Sequence, residues 1–134
     1  MGQQQLVLIV LGIIVVAIAA AAGINYFNNN IVQFNRDAVI NDLHNLATEA
    51  RTYYKKARLQ GGGGNNFLAY SMPTPLAQND NGTFSAISVT PLRVVFRGVG
   101  VENVEQGMGC TGGDLKITYS MTVYPDSASL RKIF

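Results

Sequence analysis

The chain has 134 residues, with ten Lys or Arg against eight Asp or Glu, a net charge of +2, one histidine and one cysteine. So small a charge leaves no case for a nucleic-acid binder driven by bulk charge. A single Cys and a single His exclude an intrachain disulfide framework and a Cys/His metal cluster.

Apolar residues are unevenly spread, and the densest run comes first. Positions 6–23 read LVLIVLGIIVVAIAAAAG, without a charge. At ~1.5 Å per residue in a helix, such a run matches roughly the ~30 Å of a bilayer core. Twelve Leu, Ile and Val residues lie between positions 6 and 24. At the bilayer centre they favour insertion by roughly 4–7 kcal/mol in total. A secretory signal peptide fits less well, because no Lys or Arg precedes the run and the run exceeds a usual signal core. Two readings remain open, a membrane anchor and a packing element of a protein polymer. The first charged residue is Arg36, which by the charge rule alone places the C-terminal part in the cytoplasm; a translocated domain can override that rule. Ala17, Ala19, Ala20, Ala21, Ala22 and Gly23 form a narrow stretch that lets helices approach closely, with Ala19 and Gly23 on one face.

After Ile24 the composition turns polar, with Asn25, Asn28, Asn29, Asn30, Gln33 and Asn35. Neither Pro nor Gly occurs from position 24 to 60, and apolar residues recur at Ile31, Phe34, Ala38 or Val39, Leu43, Leu46 or Ala47, Ala50, Tyr53 or Tyr54, and Ala57. Steps of three and four predict an amphipathic helix. The whole element is expected from about residue 3 to 59, on the order of 85 Å long. Asn28, Asn29 and Asn30 are poor helix formers, so a local bend or loosening is expected there. Gly61, Gly62, Gly63 and Gly64 end the helix, with Arg51, Lys55, Lys56 and Arg58 opposing its negative end. These glycines read as a flexible, tolerant connector. A phosphate loop is excluded, because they follow a helix and lack a Lys-Ser/Thr tail.

From Phe67 onward the period falls to two. Residues 83–90, 92–99 and 115–124 are expected as strands, joined by Pro91 and by a Gly-rich loop at 105–114. Leu92, Val94 and Phe96 share one face of the second strand. Leu115, Ile117, Tyr119, Met121 and Val123 share one face of the third. So short a segment buries a thin core by itself. The amphipathic helix supplies the cover, giving an α+β chain with residues 1–30 as an apolar helix and 31–134 as an α+β head. The head core is expected at Leu43, Leu46, Ala50, Tyr54, Phe96, Ile117, Tyr119 and Val123. Loss of packing at Leu43, Leu46 and Ala50 should cost the head its cooperativity.

The apolar run from Leu6, the aromatic exit at Tyr26 and Phe27, one long helix and a small antiparallel sheet together resemble a type IV pilin or pilin-like subunit. Sequence specificity for this resemblance lies in the first ~27 residues, the architecture covering the rest. The resemblance implies a polymer of identical subunits with N-terminal helices bundled in its core and sheet heads outside. It also implies an inner-membrane pool before assembly, an inner-membrane assembly machinery as partner, leader processing by a prepilin peptidase, and a surface filament serving adhesion or motility. Packing in that polymer would fall on Gln5, Leu6, Leu8, Ile9, Leu11, Ile13, Val16, Ala19, Gly23, Tyr26 and Phe27. Departures are specific. Gln5 stands where the family usually carries a glutamate that pairs with a neighbour's N-terminal amine, so that contact would be weaker here. Ala22 and Gly23 stand where the family has a helix-kinking proline. The family's C-terminal disulfide is impossible within a chain whose only cysteine is Cys110. Any leader cleavage is expected upstream of Met1 or not at all.

No catalytic constellation is visible, and no cofactor or metal is expected. His44 reads as a boundary residue of the helix. Cys110 reads as a quiet loop thiol. Asn81-Gly82-Thr83 matches a glycosylation acceptor but reads better as a turn before a strand. Tyr26, Phe27, Phe34, Tyr53 and Tyr54 read as packing residues. No basic cluster lies beyond the helix end, so no nucleic-acid partner is expected. The alternative to a filament subunit is a single-pass membrane-anchored binding protein.

Overall fold

A computed structural model describes residues 2–103 and 115–133. Cys110 and the Gly-rich loop at 105–114 lie outside the described residues. The chain divides into two compact units, Met1–Gln33 and Phe34–Phe134.

Helix α1 runs from Gly2 to Lys55, 54 residues without interruption, and passes through Asn28, Asn29 and Asn30. Three weak helix formers cost about 1.5–2 kcal/mol together, which one long cooperative helix absorbs. A 3₁₀ turn, Arg58–Gln60, and a short helix α2, Thr74–Ala77, follow. Pro75 stands at the start of α2, where its missing N–H costs nothing. Five strands follow among the described residues: β1 (Gln78–Asn79), β2 (Gly82–Thr90), β3 (Arg93–Asn103), β4 (Lys116–Val123) and β5 (Ala128–Lys132). They form one antiparallel sheet in sequential order, a meander.

The second unit is built by covering one face of this sheet. Val39, Leu43, Leu46, Ala47 and Ala50 are buried on α1, at the predicted steps of three and four. They meet Phe84 of β2, Val94 and Phe96 of β3, and Ile117, Tyr119, Met121 and Val123 of β4, all buried. Gly98 and Gly100 set how closely the helix approaches. A Cβ on Gly98 would stand 2.9 Å from the Phe84 ring and 3.0 Å from Val39 Cγ1, and one on Gly100 would overlap the Asn35 carboxamide oxygen. Tyr54 is half-buried, its ring 4.6 Å from that of Phe67. Tyr70 is wedged edge-on between Tyr53 and Phe96, at 5.4 and 5.8 Å. Burial pushes its phenol up to about 12, with the charge of Glu49 a smaller contribution in the same direction.

Polar contacts pin the register of α1 on the sheet. One carboxylate oxygen of Asp42 accepts from Asn79 Nδ2 at 2.8 Å and from Asn81 Nδ2 at 2.9 Å. Two turns earlier, Asn35 Nδ2 donates to the Asn81 carbonyl at 2.8 Å, and Asn35 Oδ1 accepts from the Glu102 N–H at 3.3 Å. Asn79 Oδ1 in turn accepts from the N–H groups of Asn81 and Gly82, closing the β1–β2 turn. The acceptor-like Asn81-Gly82-Thr83 is thus a turn whose carboxamide nitrogen is already engaged.

Three expectations are corrected. The helix stops at Lys55 instead of 59, because the chain folds back on its carbonyls. The N–H groups of Gly63, Gly64, Asn65 and Gly62 donate to the carbonyls of Tyr53, Lys56, Tyr54 and Ala57 at 2.8–3.1 Å. The four glycines are therefore a cap, not a tolerant tether. Gly63 is buried, and a Cβ there would overlap the Asn66 carbonyl; a Cβ on Gly62 would overlap the Lys56 carbonyl. Gly61 and Gly64 take left-handed φ of 78° and 55°, which glycine adopts without strain. Leu92, placed on the core face by alternation, lies in the β2–β3 turn and is exposed.

Candidate assembly surface

The first unit has no core of its own. Eleven Leu, Ile and Val side chains from Leu6 to Ile18 are 50 to 67 % exposed, and Ile24, Tyr26 and Phe27 are exposed as well. In sequence order the residues expected to pack, Gln5, Leu6, Leu8, Ile9, Leu11, Ile13, Val16, Ala19, Gly23, Tyr26 and Phe27, all lie on this uncovered helix. Full burial of what remains exposed is worth about 1–2 kcal/mol per large side chain, or roughly 10–20 kcal/mol per chain before association costs. A patch of this size far exceeds what a monomeric soluble protein leaves in water.

Small residues interrupt the apolar surface. Ile9, Gly12, Ile13, Val16, Ala17 and Ala20 line one shallow depression on the helix. A second depression is lined by Gln3, Gln4, Val7 and Leu8. A Cβ on Gly12 or Gly23 would meet nothing within 4 Å. No neighbour within the chain requires glycine at these positions. The helix is also long and apolar enough to cross a membrane.

The head residues named from the sequence fall together. Leu43, Leu46, Ala50, Phe96, Ile117, Tyr119 and Val123 are buried between α1 and the sheet, and Tyr54 sits half-buried at its edge. Val39, Phe67, Tyr70 and Phe84 are buried there too, although the expected core did not include them. Val39 was visible in the helical period. The aromatic spacing of Phe67 and Tyr70, within a segment lacking regular structure, offered no such signal. His44 is exposed on α1, where its carbonyl accepts from Thr48 Oγ1 at 3.0 Å. Among the described residues no three His, Cys, Asp or Glu side chains converge in a way that could hold a metal ion. Comparison with protein-family models, with curated proteins and with solved structures gave no match.

Proposed function

We propose that this chain is a structural subunit of an extracellular, type IV pilus-like helical filament, polymerising through its N-terminal helix. The observation that carries the reading is the uncovered apolar half of α1, joined in one unbroken helix to a head with its own buried core. Such a surface must be covered by lipid or by other copies. Identical helices packing by heterologous contacts that do not close into a ring generate an open filament. Small residues at Gly12, Ala17, Ala19, Ala20 and Gly23 would let the backbones approach, so that dispersion contacts hold the bundle. Before assembly the same helix would reside in the inner membrane. The mechanism is burial, not catalysis, and the heads would supply surface for adhesion or motility.

The competing reading is a single-pass anchor carrying a binding head, for which the membrane-spanning length of the helix speaks equally. Material sheared from cells without detergent separates the two. Thin fibres in electron micrographs, with this chain as their main protein by mass spectrometry, are the expected result. Recovery of the chain only from detergent-extracted membranes would favour the anchor.

A further inference from the structure

The sheet face turned away from α1 has a composition of its own. Register places Ser85 beside Arg97, Arg97 beside Ser120, and Ser120 beside Arg131, a single row across β2, β3, β4 and β5. Neighbouring strands are ~4.8 Å apart, so the two guanidinium stems rise roughly 10 Å from one another. Arg93 and Lys116 stand on the same face, and all four cations are exposed. Serine or threonine takes most other outward positions on β2, β4 and β5, at Thr83, Ser85, Ser88, Thr90, Thr118, Ser120, Thr122 and Ser129, while Val95, Val99 and Val101 of β3 and the bulged Ile87 of β2 are apolar. No Asp or Glu occupies an outward position among the described strands. The chain holds eight acidic residues against ten basic ones, so this segregation is a property of the fold and not of composition.

We infer that this face binds an acidic polysaccharide, a linear polymer carrying carboxylates and hydroxyls. Charge complementarity selects the sign of the partner. Arg97 and Arg131 each present a planar fork that pairs with a carboxylate through two parallel hydrogen bonds. The interleaved hydroxyls both donate and accept, which matches sugar hydroxyls between carboxylates. Base recognition in single-stranded nucleic acid calls for aromatic platforms, and the outward strand positions carry none among the described residues. No helix stands on this face among the described residues, so it offers duplex DNA phosphate contacts, with nothing to enter a groove. This inference concerns the head and holds whether or not the chain polymerises.

The test uses the full chain in non-ionic detergent micelles, with binding followed by thermophoresis at low salt. Probes are polygalacturonate, neutral dextran and a 30-base-pair DNA duplex. Polygalacturonate should bind, dextran should not, and raising the salt should weaken binding through screening. The double variant Arg97→Gln, Arg131→Gln should lose at least tenfold in affinity, while Arg36→Gln, an exposed cation on α1, should bind as the parent does. Both variants are at exposed positions, and unchanged near-ultraviolet dichroism would verify their fold. Equal loss in Arg36→Gln, absence of polygalacturonate binding, or tighter binding to the duplex would each overturn the inference. Because the readout is made on unassembled chains, its failure leaves the filament reading untouched, and absence of filaments leaves this one untouched.

Discussion

Replacing Gly23 by leucine separates a close-packed polymer from a solitary anchor. Within the chain the change is harmless, since a Cβ at Gly23 meets nothing within 4 Å. Helix propensity improves by about half a kcal/mol or more, and insertion into a bilayer by a similar amount. A lone anchor therefore gains. In a helix bundle the added isobutyl group must displace a neighbouring backbone, at about 1–3 kcal/mol per contact when packing is tight. Since each 1.4 kcal/mol is tenfold, the concentration of subunit needed for assembly should rise roughly 5- to 150-fold. The assay is the ratio of sheared filament to membrane-held subunit, by immunoblot, for the parent, Gly23→Ala, Gly23→Leu and Ala19→Leu. Alanine should be tolerated, whereas both leucine variants should accumulate in the membrane. Parental filament yield from both leucine variants would refute the close-packing argument.

Three further outcomes follow from the head. Gly63→Ala places a methyl group against the Asn66 carbonyl and 2.8 Å from the Tyr53 ring; it should cost about 2–3 kcal/mol in a thermal melt of the detergent-held chain, where a free tether would show no change. Asp42→Asn removes the charge from two hydrogen bonds, to Asn79 and Asn81, and should cost about 1–2 kcal/mol, or roughly 5–15 °C in melting temperature. Tyr70 gives the head an alkaline limit. Its phenol is raised to about 12 by burial and then by Glu49, so between pH 10 and 12 the folded head keeps a proton that the unfolded chain releases. Stability should fall as pH rises through that window. Two pH units would amount to ~2.7 kcal/mol, and screening of the half-exposed Glu49 reduces this to about 1–2. Tyr70→Phe keeps the ring packing and should abolish that slope while leaving stability at pH 7 within about 1 kcal/mol; an unchanged slope would exonerate Tyr70.

Periodicity carried most of this fold, because burial on one face leaves a mark at every third or second residue. The stripe at Val39, Leu43, Leu46 and Ala50 and the alternation from Ile117 to Val123 both owe their legibility to one-sided packing. Elements without a buried face left no mark. β5 is exposed throughout, and its alternation of Ala128 and Leu130 with Ser129 and Arg131 is too short to stand out, while β1 is a two-residue extension of an Asn-rich turn. β3 runs past Gly98 and Gly100 to Asn103, although glycine weakens strands, because the approaching helix leaves no space for a Cβ. Four consecutive glycines have the composition of a linker. Only their carbonyl partners on Arg58, Ala57, Tyr53 and Lys56 distinguish a cap, and those partners are set by the path of the chain. The apolar run was the opposite case, since length and lack of charge are all that mark an uncovered apolar helix. Arg97 and Arg131 lie 34 positions apart, so their shared row exists only in the register.

The two units draw stability from different sources, which makes their defects separable. Residues 34–55 meet their apolar partners inside the chain, and the Asp42 and Asn35 contacts fix that packing without help from another copy. Residues 6–27 are exposed, so their burial energy would be realised in lipid or among other chains. In the proposed filament, a head so constructed would fold without help from a neighbouring copy. Asp42→Asn and Gly23→Leu share no partner, and such changes add. Asp42→Asn should lower the melting temperature with filament yield per folded subunit unchanged, and Gly23→Leu should do the reverse. Were Asp42→Asn to lower filament yield among subunits still folded, the head would have to be part of the assembly contact, and burial of the helix alone would not hold the polymer together.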